Sequence, residues 1–153
     1  MSATPRPVAP QPPRRALLVD DDAFMLVVLG DLLREQGVTQ VVTAADGNAG
    51  IAAYDRSVPP PDLVVCDLNM PGQDGFQFME QLGQRGYAGA ILLVSGMPAR
   101  TLNSAALMAR FHRLNILATL VKPVDAAALR AALHGPRAAL LPAGPPGGPP
   151  VRR

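Results

Sequence analysis

Five short apolar runs constrain this chain more than anything else in it. They read "ALLV" (16–19), "QVVTA" (40–44), "DLVVC" (62–66), "AILLVS" (90–95) and "ILATLV" (116–121). Each is continuous rather than alternating, the pattern of parallel strands covered on both faces. Between and after them lie residues 23–36, 47–57, 75–85, 98–113 and 125–134, each long enough for a helix. In the first stretch Met25, Val28, Leu29 and Leu32 recur at helical spacing as a core stripe, and Gly37 follows as a C-cap. The expected fold is α/β: five βα units wound right-handed into a three-layer sandwich with helices on both faces of a parallel sheet. No internal repeat is evident.

With 153 residues, 48% of them hydrophobic and 17% charged, the chain has enough apolar matter for one domain with a real core. Residues 1–14 and 137–153 are rich in Pro or Gly, bury too little to offset their ordering entropy, and are expected to be disordered tails around a domain at 15–136. Nothing after residue 134 is expected to fold as an effector. There is no apolar run long enough for a membrane span and no secretory h-region in "MSATPRPVAPQPPRR". Cys66 is the single cysteine, which fits a reducing compartment, and a cytoplasmic location is expected. A formal charge of +2 without a basic stripe, and an absence of Trp, give nucleic-acid binding no support.

In an open parallel sheet, function collects beyond the C-terminal ends of the strands. Asp20, Asp21 and Asp22 follow the first run, Asp67 the third, Ser95 the fourth, and Lys122 and Pro123 the fifth. Carboxylates brought that close must take up protons or share a cation. Acids with an Asn carbonyl nearby and no His or Cys cluster make an oxygen-only site, which points to Mg²⁺. Lys122 adds a compact positive charge and Ser95 a hydroxyl.

This constellation resembles the receiver domain of bacterial two-component response regulators. The resemblance covers about residues 15–134 and rests on "LLVDDD", "VVCDLNMPGQDG", "LLVSG" and "LVKP" in that order. It implies a flavodoxin-like strand order of 2-1-3-4-5. It further implies that Asp67 accepts a phosphoryl group, that Asp21 binds Mg²⁺ directly and Asp20 through water, and that Asn69 offers its backbone carbonyl. Ser95 and Lys122 would hold the phosphoryl oxygens, and Lys122–Pro123 would be cis. The implied partners are a histidine kinase or phosphotransfer protein at the first helix and an effector at the face of stretch 98–113, the fifth strand and the last helix. The positions of Asn69 and Met97 would tune phosphoryl lifetime.

Beside these roles stand plainer ones. Asp22 reads as the N-cap of the first helix, and Asn69, Pro71, Gly72 and Gly75 as turn residues. Cys66 reads as a small buried hydrophobe. His112 and His134 sit near helix C-termini, where an imidazolium suits the dipole.

Two features depart from the family pattern. Thr119 stands where receivers commonly carry a Tyr or Phe that flips on activation, so readout is expected through Ser95 and residues 95–113. Stretch 98–113 is long and resembles receivers that work with cyclic-di-GMP phosphodiesterases. Its stripes, Leu102, Ala105, Ala106 and Ala109 and then Leu107, Met108 and Phe111, either pack on the sheet or form a partner or homodimer surface. Leu26, Gly30 and Leu33 on the first helix read either as the edge of a core face or as a docking patch.

Two alternatives come from other classes. A haloacid-dehalogenase-like phosphatase also uses a strand-end Asp with Mg²⁺, but on the first strand, and "DDDAFML" lacks its Thr and the chain its cap domain. A phosphate-independent interaction module would have no need of the full set of site residues. No Gly-rich nucleotide loop is present.

Overall fold

The computed structural model describes residues 13–70, 75–96 and 113–134. Within them the order is β1 (Arg15–Val19), α1 (Ala23–Glu35), β2 (Gln40–Ala44), α2 (Gly47–Arg56), β3 (Leu63–Asp67), α3 (Gly75–Gln84), β4 (Ala90–Ser95), β5 (Asn115–Val121) and α4 (Ala126–His134). The strands form one parallel sheet in the order β2-β1-β3-β4-β5, as expected. Most of stretch 98–113, with its two apolar stripes and His112, falls outside the described residues, as do Met97, Pro71, Gly72 and both tails apart from residues 13 and 14.

Side chains alternate across a strand, so one sequence feeds two cores. Leu17, Val19, Val64, Cys66, Ile91 and Leu93 point to one face and pack with Ile51 of α2 and Phe78, Met79 and Leu82 of α3. Ala16, Leu18, Leu63, Val65, Leu92 and Val94 point to the other and meet Leu29 and Leu33 of α1 and Leu129 and Leu133 of α4. Burial on both faces holds for β1, β3 and β4. It fails for β2, where Val42 and Thr43 are exposed, because that strand lies at the sheet edge.

The third strand is shifted by one residue from its apolar run. Asp62 stands before it and accepts the backbone N–H groups of Arg14 (2.7 Å) and Arg15 (3.1 Å), which draws Arg14 into the fold. Asp67 is the strand's last residue, in register with Val94.

Helix α1 opens as expected. The Asp22 carboxylate accepts from Phe24 N (2.9 Å) and Met25 N (3.4 Å), and Gly37 just beyond the helix has φ 103°. Its core face, however, is rotated from the expected stripe. Leu29, Gly30 and Leu33 are buried, while Met25, Leu26 and Leu32 pack against the same cluster from partly buried positions. Gly30 and Leu33 are therefore core and Leu26 lines its edge, so these three residues form the edge of a core face rather than a docking patch. The apolar residues that α1 does show to solvent are Phe24, 71% exposed, and Val27, 62% exposed.

Candidate functional site

The ends of β1, β3, β4 and β5 lie side by side, so their last residues meet along one edge of the sheet. Asp20, directly after β1, is buried, as are Asp67 and Ser95 at the ends of β3 and β4. Asp21 is exposed, and Lys122, directly after β5, is half-buried. Backbone bonds fix the frame: Asp20 N–H donates to Ala44 O, Leu68 N–H to Val94 O and Lys122 N–H to Ser95 O, at 3.0–3.1 Å. The Lys122–Pro123 peptide is cis.

The two buried acids are held in the same way. In each, Oδ1 accepts the backbone N–H two residues on: Asp22 N to Asp20 at 2.9 Å, and Asn69 N to Asp67 at 3.0 Å. This is the Asx turn that short acidic side chains favour where a strand breaks into a loop. Both Oδ2 atoms are left facing Lys122 Nζ, Asp20 at 3.0 Å and Asp67 at 3.3 Å. The contact to Asp67 has hydrogen-bond geometry. That to Asp20 is an ion pair without it, so Asp20 Oδ2 is buried and accepts no hydrogen bond.

Electrostatics follow from this packing. Burial, reinforced by the charge of Asp20, pushes the Asp67 carboxyl up to about 6, against the opposing pull of the Asn69 N–H and the Lys122 ammonium. Burial disfavours the charged form of Lys122, but contact with Asp20 and the charges of both acids outweigh it and hold the ammonium above its ordinary value.

One carboxylate oxygen each from Asp20, Asp21 and Asp67 lies within 4.8 Å of the other two. An all-oxygen donor set and a buried oxygen lacking a hydrogen bond fit a hard divalent cation of the Mg²⁺ type. The sites of Asp20, Asp21, Asp67, Ser95 and Lys122 are thus brought to one edge as expected, with Asn69 contributing its backbone N–H to Asp67. Cys66, although next to Asp67, is buried in the core cluster.

Comparison with known proteins bears on the same edge. The family model for the response regulator receiver domain matches residues 16–134. The chain belongs to the response regulator receiver family. It is 31% identical over 113 residues to the chemotaxis protein CheY of Treponema pallidum, covering 74% of this chain and 75% of that one. It is 30% identical over 111 residues to the transcriptional regulatory protein PdtaR of Mycobacterium tuberculosis, where the match spans 72% of this chain and 50% of the relative. Among solved structures, a receiver domain protein from Clostridium thermocellum superposes with a TM-score of 0.68 at 25% identity, covering 84% of this chain and 98% of that one. The receiver fold and phosphoacceptor signalling are therefore the setting for this site, and the phosphatase alternative finds no support. Asp22 caps α1, as its position directly before the helix implies.

One contributor was not legible as more than a turn residue. A Cβ placed on Gly75 would stand 2.7 Å from Asp67 O and 2.7 Å from Leu68 Cα, so the absence of a side chain there lets α3 begin against the strand end that carries Asp67. Spacing alone carries no signal for that approach.

Proposed function

We propose that this receiver is phosphorylated on Asp67 by a histidine kinase or a histidine phosphotransfer protein, and that it signals through protein–protein contact rather than as an enzyme in its own right. The observation that carries the reading is the convergence of Asp20 Oδ2 and Asp67 Oδ2 on Lys122 Nζ. Asp20, Asp21, Asp67 and the Asn69 carbonyl are the residues that would hold Mg²⁺. When bound, that ion supplies positive charge that keeps Asp67 ionised and offsets charge on the transferring group.

The chain's own part is nucleophile and clamp. A carboxylate oxygen of Asp67 forms an O–P bond as the N–P bond of a phosphohistidine breaks, and the imidazole leaves with the electron pair. Lys122 touches Asp67, which supports a role for it in pairing with the phosphoryl oxygens as a point charge, with the Ser95 hydroxyl as a second holder. The donor docks over α1, whose exposed apolar residues Phe24 and Val27 begin one turn from the acids. Downstream, an effector reads the side of the sheet beyond β4. With Thr119 half-buried on β5, the readout proceeds without an aromatic switch at that position. No helix among the described residues is long and apolar enough to cross a membrane; a cytoplasmic location is part of the proposal.

The test is intact mass after incubation with acetyl phosphate and Mg²⁺, for wild type and Asp67→Asn. A phosphate adduct that forms only on the wild type and only with Mg²⁺ is expected. Catalytic turnover of acetyl phosphate by a wild type that stays unmodified would overturn the proposal in favour of a phosphatase.

A further inference from the structure

The outer edge of β2 is unlike a guarded strand edge. Natural edges are blunted by charges, prolines or bulges, because unpaired N–H and C=O groups recruit other strands. Gln40–Ala44 reads QVVTA, with no charge, no proline and an unbroken register to β1. Among the described residues nothing pairs with its outer side.

Backbone parity shows which groups that side offers. Gln40 N–H donates to Arg14 O (2.9 Å) and Ala44 O accepts from Asp20 N (3.1 Å), so residues 40, 42 and 44 spend their polar groups on β1. Those of Val41 and Thr43 point outward. Val42, 46% exposed, lies on the α2 face and lines a cavity of about 180 Å³ together with Val58, itself 90% exposed, and Pro59 and Pro61. The edge thus joins free backbone groups to an uncovered apolar patch.

We infer that the β2 edge is a self-association surface, on which a second copy of this chain pairs antiparallel about a two-fold axis through Val42. In that register Val42 faces Val42, Val41 faces Thr43 and Gln40 faces Ala44. Val41 and Thr43 then exchange both N–H···O bonds in each half, four in all, and Val42 occupies the central non-hydrogen-bonded pair. No charge on either strand meets its like. The ends favour this orientation too. The N-terminal end of β2 lies beside Arg14 and Arg15, whereas the C-terminal end runs on to Asp46. Antiparallel pairing sets the basic end of each copy against the acidic end of the other. This surface lies on the opposite edge of the sheet from β5, so it leaves the effector side of the receiver free.

The experiment is sedimentation of the full chain across a concentration series, for wild type and Val42→Lys, with oxidative cross-linking of Val42→Cys and Thr43→Cys. Wild type is expected to shift from monomer to dimer, and Val42→Lys to stay monomeric with an unchanged circular dichroism spectrum. Val42→Cys should cross-link to a dimer on a non-reducing gel, because a central pair sits about 4.5 Å apart at Cα, within disulfide reach. Thr43→Cys, which faces Val41, should cross-link far less. A wild type that is monomeric throughout, a dimer that survives Val42→Lys, or equal cross-linking of the two cysteine variants would overturn the inference.

Discussion

Lys122 Nζ lies 3.3 Å from Asp67 Oδ2, and the same ammonium lies 3.0 Å from Asp20 Oδ2. One half-buried cation therefore serves two buried carboxylates, each of which has spent its other oxygen on a backbone N–H. A phosphoryl group arriving at Asp67 would find Lys122 already in place, and the lysine could follow the new charge with little movement.

Lys122→Ala should lower stability when divalent cations are chelated. Removing one partner of a buried ion pair costs about 3–5 kcal/mol where water is excluded, and partial exposure of Lys122 reduces that to about 1–3 kcal/mol. Asp67 would answer by holding its proton to higher pH. Urea midpoints at neutral pH with chelator would show the loss, and added Mg²⁺ should narrow the gap. A variant more stable than wild type without Mg²⁺ would mean that Lys122 does not hold the acids together.

The Asp67 carboxyl supplies a pH signature. Its folded-state value of about 6 lies above the ordinary 3.8, so the folded state binds the proton more tightly than the unfolded chain. Stability without metal is then greatest below 3.8 for this group and falls as pH rises through about 6, by about 3 kcal/mol at most. Asp67→Asn should remove that decline and be the more stable protein at neutral pH. Chelated samples of both, unfolded in urea across this window, give the comparison, and parallel pH profiles would refute the assignment.

How far the residues could be read in advance depended on what each has to do. Asp67 and Lys122 were legible because an apolar run stops at each, and burial of a strand leaves no other reason to end on a charge there. The Asx turns at Asp20 and Asp67 were not, since the same Asp serves equally well as cap, ligand or turn until the backbone is placed. Helix α1 misled because apolar residues occur nearly all round it. Periodicity then admits several stripes, and Gly30, which is buried, contributes nothing to a hydropathy pattern. The edge position of β2 is likewise a property of topology, not of QVVTA.

Asp22 separates capping from chemistry. Its carboxylate accepts from Phe24 N and Met25 N, so Asp22→Ala should cost about 1 kcal/mol of stability through the lost cap. Phosphate uptake from acetyl phosphate should persist, because Asp22 lies outside the group of three acids that approach one another. Loss of the adduct in a variant that is still folded would place Asp22 inside the site.

Gly75 tests how closely the start of α3 must approach Asp67. The contacts that a Cβ would meet at 2.7 Å are backbone atoms of Asp67 and Leu68, which cannot rotate away as a flexible side chain could. Gly75→Ala must therefore push α3 from the end of β3 or displace Asp67 itself. Elsewhere in a helix the same change would be favourable by about 0.5–1 kcal/mol, since alanine loses less backbone freedom. Here overpacking should reverse the sign and destabilise by about 1–3 kcal/mol. Displacement of Asp67 should also slow phosphate uptake in molecules that remain folded. Urea denaturation together with the rate of adduct formation checks both, and a Gly75→Ala protein as stable and as reactive as wild type would show that the helix start can yield without disturbing the site.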